Sequence, residues 1–351
     1  MRRADALALR LVRGLDPETA HGLTLLALGA GLGPWETAAP DPALRIRVAR
    51  LDLPHPIGLA AGFDKNAEAA DALLRAGFAF VECGTTTPVA QAGNPKPRLF
   101  RLTADHAVIN RMGFNNDGQA AFAARLAKRR RRGIVGANIG ANKSSPDRVA
   151  DYVAGLRRLW GLCDYFTLNV SSPNTPGLRS LQGSEALAEL LTAVTEARAD
   201  LERAGAGGPI FLKVAPDLDD HDVEDIANIA LRSGLDGLIV GNTTLARPDS
   251  LKDPSRGESG GLSGAPLMEP STRLLRRFHD ACAGRLCLIG VGGVGSGADA
   301  YAKIRAGASA VQLYTALVYG GPGLVGEIKR DLARRLKADG FATVAEAVGA
   351  Q

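Results

Sequence analysis

Only four cysteines occur in the 351 residues, Cys83, Cys163, Cys282 and Cys287, and no two of them form a CxxC pair. The five histidines do not cluster with them. Neither a metal centre nor a disulfide framework has its ligand spacing here, so free thiols buried in a reducing compartment are expected, and no metal. Long apolar runs are missing too. Residues 22–35 are uncharged but short, and glycines and Pro34 break them, which suits a core or interfacial helix better than a membrane span. The start, Met1-Arg2-Arg3, leads into no apolar core with a cleavage site behind it, and no long Ser/Arg-rich transit segment follows. No low-complexity linker divides the chain, and the one boundary the pattern allows lies near residue 40.

What is present is an ordinary globular balance, 46% hydrophobic and 23% charged, enough apolar material for one large core. The net charge of +5 admits nucleic acid, an anionic membrane or small anions as partners. The densest basic run, residues 128–132, closes a helical pattern just before Gly133. Its plain reading is a solvated helix C-terminus, where cations suit the dipole; a contact to RNA or to anionic lipid is the alternative.

From residue 56 onward one pattern repeats: a short β-branched apolar run ends in small or polar residues, and a helical stretch follows. Strands are expected at 56–61, 79–84, 134–139, 165–170, 210–214, 237–241, 286–291 and 310–314. Helices are expected at 67–75, 116–132, 151–161, 184–204, 220–233 and 270–283. Such alternation implies a parallel sheet covered by helices, and eight units imply a closed (β/α)8 TIM barrel. The ends differ. Residues 1–40 are expected to form a small N-terminal helical subdomain and residues 41–351 the barrel. Within the first 33 residues two short helices meet near Gly14-Leu15-Asp16-Pro17, with Asp16 as N-cap and Pro17 as first helical residue. Residues 45–53 alternate like a hairpin that would close the barrel floor, and residues 98–113 read as a strand-like insertion.

In such a barrel, chemistry sits at the C-terminal ends of the strands. In order, these ends carry Ala60-Ala61-Gly62-Phe63-Asp64-Lys65-Asn66, Gly84-Thr85-Thr86-Thr87, Asn138-Ile139-Gly140, and Asn169 through Gly177. Lys213, Asn242-Thr243-Thr244, Gly290-Val291-Gly292-Gly293 and Tyr314-Thr315 follow. Each alone has a dull explanation as turn chemistry. Eight polar ends on one rim do not, because packing needs none of them. The last two ends are small or glycine-rich and precede helices expected at Ser296 and Gly321-Pro322, where backbone N–H groups suit a phosphate. Facing them stand neutral amides, Asn110, Asn138, Asn169, Asn174 and Asn242, and two lysines. Paired carboxylates and a Ser-His-Asp set are absent, so hydrolysis is poorly supported. Amides around a planar ring, with a lysine to hold negative charge, fit flavin redox chemistry better.

Six stretches together resemble the signatures of dihydroorotate dehydrogenases: Gly58 to Lys65 (GLAAGFDK), Lys96 to Arg101 (KPRLFR), Ile109 to Asn116 (INRMGFNN), Asn169 to Gly177 (NVSSPNTPG), Leu212 to Asp217 (LKVAPD) and Gly260 to Gly264 (GGLSG). They stand in the family's order over nearly the whole chain. The resemblance implies FMN held by Ala61, Gly62, Lys65, Thr85, Asn138, Asn169, Lys213, Gly264, Gly293, Tyr314 and Thr315. It implies dihydroorotate held by Lys65, Asn110, Arg111, Met112, Gly113, Phe114, Asn169, Asn174, Asn242 and Thr243, with Ser172 as the base at C5. A free serine is a poor base, and Thr175 and Phe114 match positions that shape a relay to water. Gly241 departs from the pattern: many relatives carry Ser or Thr there, so a hydrogen bond to the flavin is missing.

Serine at 172, where soluble members usually have cysteine, together with the N-terminal extension, resembles the quinone-dependent, membrane-associated class. His21 and Arg101 match its quinone site, although His21 alone reads as a surface or capping histidine. Leu7, Leu9, Leu11, Val12, Leu15, Leu23, Leu25, Leu26 and Leu28, flanked by Arg2, Arg3, Arg10 and Arg13, make apolar faces with basic edges. These can lie in an anionic membrane surface or pack as a hairpin on the barrel. The resemblance favours a tunnel between the membrane and FMN. The expected enzyme is a monomer without a nucleic-acid partner, peripheral on the cytoplasmic face of a bacterial inner membrane, with the mitochondrial inner membrane as alternative. Two rivals remain: a soluble, fumarate-reducing dehydrogenase, and a phosphate-binding barrel touching RNA through residues 128–132.

Overall fold

The computed structural model describes residues 12–33, 35–130, 132–205, 207–321 and 323–350. The leucines and arginines expected on a first helix at residues 2–11 lie outside them, as do Pro34, Arg131 and Pro322. Eight parallel strands close into a barrel. In chain order they are β3 (Ile57–Leu59), β4 (Phe80–Thr86), β7 (Ile134–Ile139), β8 (Tyr165–Asn169), β9 (Ile210–Val214), β10 (Gly237–Val240), β12 (Cys287–Val291) and β13 (Ala310–Leu313). All eight fall where the apolar runs place them. The covering helices among the described residues are α2 (Ala70–Arg75), α3 (Gly118–Ala127), α4 (Arg148–Leu159), α5 (Ser184–Ala204), α6 (Asp220–Ser233), α7 (Met268–Cys282), α8 (Gly297–Arg305), α9 (Thr315–Gly320) and α10 (Leu324–Ala338).

Outside the barrel lie helix α1 (Pro17–Gly29), the hairpin β1 (Ile46–Val48) with β2 (Leu51–Leu53), and a three-stranded antiparallel sheet at the mouth. That sheet runs β11 (Gly261–Gly264), β6 (Ala107–Asn110), β5 (Leu99–Leu102). Helix α1 starts as expected: Asp16 caps it by accepting from Thr19 N at 2.9 Å, and Pro17 stands in its first turn. The hairpin buries Ile46, Val48, Leu51 and Leu53, and Ala49 N donates to Cys287 Sγ at 3.0 Å, at the start of β12, so it does close the floor. All four cysteines are free.

Period-two alternation sends every second strand residue into the barrel and builds its interior in layers. The lowest is aromatic. Phe80, Tyr165 and Phe211 point inward from β4, β8 and β9, and the residues in register beside them on neighbouring strands are Gly58, Gly136 and Gly237. A Cβ on these glycines would come within 2.3, 2.1 and 2.8 Å of the facing ring. The rings meet edge to face, Phe80 to Tyr165 at 6.2 Å and Tyr165 to Phe211 at 5.8 Å. This layer plugs the barrel, so everything polar above it opens only toward the mouth.

Several expectations need correction. Strand β11 was not foreseen. Its residues Gly-Leu-Ser-Gly carry one core side chain, Leu262, and the strand forms because the open edge of β6 supplies backbone partners. Gly264 sits at φ 102°, and a Cβ there would lie 2.4 Å from the His106 carbonyl oxygen. After the last barrel strand the next helix begins at Thr315, not at Gly321. Helix α3 ends at Ala127, and the basic run after it is not simply solvated: Arg129 is buried against Asp71, Nε to Oδ1 3.0 Å, tying the turn to α2.

The ring layer yields a test. Gly136→Ala forces a methyl into the Tyr165 ring and should cost about 1–3 kcal/mol, as overpacking does. Tyr165→Leu in the same chain should recover part of the loss. Urea denaturation of the two variants and the parent checks this; an alanine variant as stable as the parent would refute the layer's tightness.

Candidate active site

Directly above the rings lies a polar layer centred on Glu82 of β4, which is fully buried. Its Oε1 accepts from Asn138 Nδ2 at 2.7 Å, and Lys213 Nζ stands 4.0 Å away. Its Oε2 accepts from Gln312 Nε2 at 2.8 Å, Thr167 Oγ1 at 3.1 Å and the Tyr165 hydroxyl at 3.3 Å. Donors from four strands, β7, β8, β9 and β13, thus converge on one carboxylate. Burial pulls the Lys213 ammonium below its ordinary value, with Glu82 opposing. Burial and then Glu82 push the Tyr165 phenol well up, so it stays a donor.

The amides form the next tier. Asn169 Nδ2 donates to Thr85 Oγ1 at 2.8 Å and to Asn138 Oδ1 at 3.2 Å, and Thr85 Oγ1 donates to the same Asn138 oxygen at 2.5 Å. Asn169 Oδ1 accepts from Ser171 Oγ at 2.9 Å, and Asn242 Nδ2 donates to that hydroxyl at 2.8 Å. Asn174 Nδ2 donates to the Asn110 carbonyl at 3.1 Å, while Asn174 N donates to Ser172 Oγ at 3.3 Å. Each amide is therefore fixed by a neighbour from another strand end, with its rotation settled by that network. The Asn110–Phe114 loop is held by left-handed backbone at Gly113 (φ 73°) and Phe114 (φ 55°).

A single cavity of about 1540 Å³ runs from this mouth to helix α1. At one end it is lined by Asn169, Ser172 and Lys213, at the other by Leu23, Leu32 and Trp35, with His21 and Arg101 between. His21, Phe63 and Tyr314 join the two ends: His21 to Phe63 5.1 Å and Phe63 to Tyr314 5.4 Å, both edge to face, with the Tyr314 hydroxyl 3.5 Å from His21 Nδ1. Burial, and then the Lys65 charge, hold His21 down to about 4, so it is neutral at pH 7. Lys65 Nζ donates to the Gly62 carbonyl at 2.9 Å and keeps part of its surface toward the cavity. Burial, then Arg98, push it down to about 8.

Of the residues expected at the site, the cavity is lined by Ala61, Gly62, Lys65, Thr85, Asn110, Met112, Gly113, Phe114, Asn169, Ser172, Asn174, Lys213, Asn242, Thr243, Gly264, Gly293, Tyr314 and Thr315. Asn138 lies one layer behind, and so does Thr175, whose buried Oγ1 has no partner among the described residues. Arg111 does not face the cavity: its guanidinium covers the Phe100 ring at 4.6 Å and pairs with Glu258 at 2.8 Å. Arg101 donates to the Arg13 and Leu15 carbonyls at 2.7 and 2.8 Å and so holds the start of α1. Sequence reasoning missed Glu82, Ser171 and the buried Arg98–Glu18 pair, 2.7 Å, which fastens α1 to the rim. For Glu82 a signal existed, a lone charge inside an apolar strand, the same signal that marks Lys213.

A closed parallel barrel whose mouth gathers amides, two lysines and serine hydroxyls, with an apolar passage to its outside, is the framework of an oxidoreductase. A family model described as dihydroorotate dehydrogenase matches residues 43–336. The chain is 59% identical over 346 residues to a protein of Rhodospirillum rubrum named dihydroorotate dehydrogenase (quinone), across 98% of this chain and 94% of that one. It is 56% identical over 338 residues to one of the same name from Azorhizobium caulinodans, across 95% of each. The crystal structure of DHODH from Eimeria tenella in complex with ferulenol has a TM-score of 0.92 to it at 42% identity, covering 95% of both chains. The chain belongs to the dihydroorotate dehydrogenase family, whose members are flavin-dependent enzymes.

The Glu82 layer predicts its own energetics. Glu82→Ala leaves a buried ammonium and several donors unpaired and should cost about 3–5 kcal/mol. The double variant Glu82→Met, Lys213→Met should be more stable than Glu82→Ala, because no unpaired charge remains. Chemical denaturation decides; a double variant weaker than the single one would show that Lys213 is not the group Glu82 holds.

Proposed function

We propose that this chain oxidises dihydroorotate to orotate in pyrimidine (UMP) synthesis, with FMN as hydride acceptor and a membrane quinone as final electron acceptor. The observation that carries the reading is the one cavity that joins Ser172 and Lys213 at the barrel mouth to the outer side of helix α1. Residues 41–351 are then the catalytic barrel, and residues 1–40 the subdomain that meets the membrane and forms the quinone tunnel.

FMN fits the mouth on two counts. Gly292 and Gly293, at φ 107° and 78°, leave a wall without side chains, and a Cβ on Gly293 would lie 2.3 Å from Met268 Cα. Gln312 Oε1 is a buried acceptor without a partner among the described residues, beside Glu82 in the cavity wall. Ala61, Gly62, Lys65, Thr85, Asn138, Asn169, Lys213, Gly264, Gly293, Tyr314 and Thr315 would hold the cofactor. When bound, FMN supplies an acceptor for the hydride leaving C6 of dihydroorotate and a donor of electrons to the quinone.

The remaining chemistry belongs to the chain. Asn110, Asn174 and Asn242, with Asn169 and Thr243, present fixed amide and hydroxyl groups to the edges of the substrate ring. Lys65 takes the substrate carboxylate; an anion within reach raises its depressed pKa and restores its charge. Ser172 Oγ accepts the proton from C5. Thr175 Oγ1, buried and without a partner among the described residues, is the next stop through a water, with the Phe114 ring as the wall beside it. Lys213 places positive charge where the reduced site becomes negative. Met112 and Gly113 shape the floor of the substrate pocket, and Arg111 braces their loop through Glu258.

At the other end, His21 and Arg101 flank the passage by which a quinone head group reaches Tyr314. Helix α1 is apolar on both sides: Ala20 and Leu28 face the barrel, while Leu23 and Leu26 are exposed, 49% and 72%. An outer apolar face beside the cavity opening is what an interfacial helix presents to lipid. No helix among the described residues is long and apolar enough to cross a membrane. With that outer face toward lipid, α1 would lie on the surface, at the cytoplasmic face of a bacterial inner membrane.

Purified protein should show flavin absorption that bleaches on adding dihydroorotate; a colourless protein, or one that does not bleach, would sink the reading. Ser172→Ala should keep the flavin but slow its bleaching about 10²–10⁴-fold, the usual worth of a general base. Unchanged bleaching in stopped flow would remove Ser172 from the mechanism. The double variant Leu15→Glu, Leu26→Glu should bleach normally and react with a small soluble acceptor. It should lose binding to anionic vesicles and turnover with a long-tailed quinone; full turnover with that quinone would exclude α1 as the membrane contact.

A further inference from the structure

We propose that Lys303 is a positioning residue for the cofactor phosphate, acting through Ser271 on the Gly292–Gly293 peptide; the inference rests on the FMN reading above. Lys303 stands on the inner side of α8 and is fully buried, although nothing in the reaction needs an amine there. Its two partners among the described residues are hydroxyls: Nζ donates to Ser271 Oγ at 2.8 Å and to Thr272 Oγ1 at 3.2 Å, both near the start of α7. Ser271 Oγ in turn lies 3.0 Å from the Gly292 carbonyl oxygen and 3.2 Å from that of Met268, while Thr272 Oγ1 donates to Met268 alone, at 2.7 Å.

The Gly292 carbonyl shares its peptide with the Gly293 N–H. That N–H has no hydrogen-bond partner among the described residues, and both glycines line the cavity. A donor placed on a peptide oxygen polarises the whole amide and strengthens its N–H toward an anion, and charge at the head of such a chain strengthens it further. The sequence Lys303 ammonium, Ser271 hydroxyl, Gly292–Gly293 amide therefore carries positive charge to the cavity wall without placing a bulky side chain in it. A lysine reaching in directly would fill the space that the two glycines leave open. Burial pushes Lys303 down to about 7, against Asp299 on its own helix, so the amine gains charge when an anion arrives on the far side of the amide.

Exchange of the bound cofactor tests this. Holoenzyme is equilibrated with mixtures of FMN and riboflavin, and the bound fraction of each is read by chromatography after rapid desalting. The ratio of the two affinities reports on the phosphate alone, since the ring and ribityl chain are common to both. Lys303→Met should lower the preference for FMN by about tenfold, the scale of a charge-assisted hydrogen bond lost. Ser271→Ala should lower it similarly and is the variant to use if Lys303→Met does not fold. Thr272→Val, which removes an equal number of bonds from Lys303 but none from Gly292, should leave the preference unchanged. If Lys303 were merely structural, both affinities would fall together and the ratio would hold; that result, or an equal drop in Thr272→Val, overturns the proposal. A parent protein that retains no FMN overturns the flavin reading instead, so the two failures are distinct.

Discussion

The placement of a full carboxylate on the barrel axis constrains everything above it. Glu82 has no water to turn to, because the Phe80–Tyr165–Phe211 layer closes the barrel below. A charge in such a place persists only if it is matched by donors and by opposite charge. The match comes from Asn138, Thr167, Tyr165, Gln312 and Lys213, on strands far apart in sequence. Each donor is therefore held in one rotamer, and Asn138 passes that order up to Thr85 and Asn169. The rigidity of the mouth follows from satisfying one buried anion. Electrostatic catalysis needs dipoles that are already oriented when charge develops, and this layer orients them.

The second constraint acts across the rim. Helix α1 could lie anywhere on a barrel that is already closed, yet Glu18 reaches buried Arg98, and Arg98 also donates to the Ala92 and Asn94 carbonyls. Burial would raise Glu18, but the hydrogen bond and charge of Arg98, with Lys96, win and hold its carboxyl below the ordinary range. The pair fixes α1 over Phe63 and Tyr314, leaving a cavity rather than a packed contact. The same few residues thus separate the end where dihydroorotate would react from the end open to an apolar partner.

Much of this was legible in the sequence, for a physical reason. Parallel strands buried on both faces are continuous apolar runs, so all eight were visible, and the 184–204 and 220–233 helices carry clean amphipathic periods. Polar strand ends have no packing purpose, which exposed most of the mouth. What could not be read depends on distant partners. Strand β11 has two glycines in four residues and exists only because β6 offers an edge. Arg98 and Glu18 are 80 residues apart. Lys303 sits in an ordinary helical stretch, and only the fold reveals that its side faces inward. Arg111 stands in the middle of a signature segment, and nothing local says that its side chain turns to Glu258 while its neighbours line the cavity.

The lysines give the site its character as a receiver of anions. Lys65, Lys213 and Lys303 are all drawn below their ordinary values by burial, and of the three only Lys213 stands within ion-pair distance of a carboxylate among the described residues. For an amine, a folded-state pKa below the unfolded one means that the charged form costs stability as the pH falls beneath the ordinary lysine value of 10.5. The buried lysines thus put an electrostatic cost on the barrel mouth that the fold tolerates because the ring layer and the Glu82 network hold it. An anion reaching Lys65, or the amide polarised by Lys303, raises those pKa values and relieves the strain. Binding and folding are then linked: whatever neutralises the mouth also stabilises the barrel, in proportion to how far the bound form is favoured over the free one. The same burial that makes the lysines unfavourable alone makes them strong toward an anion, because little water competes for it.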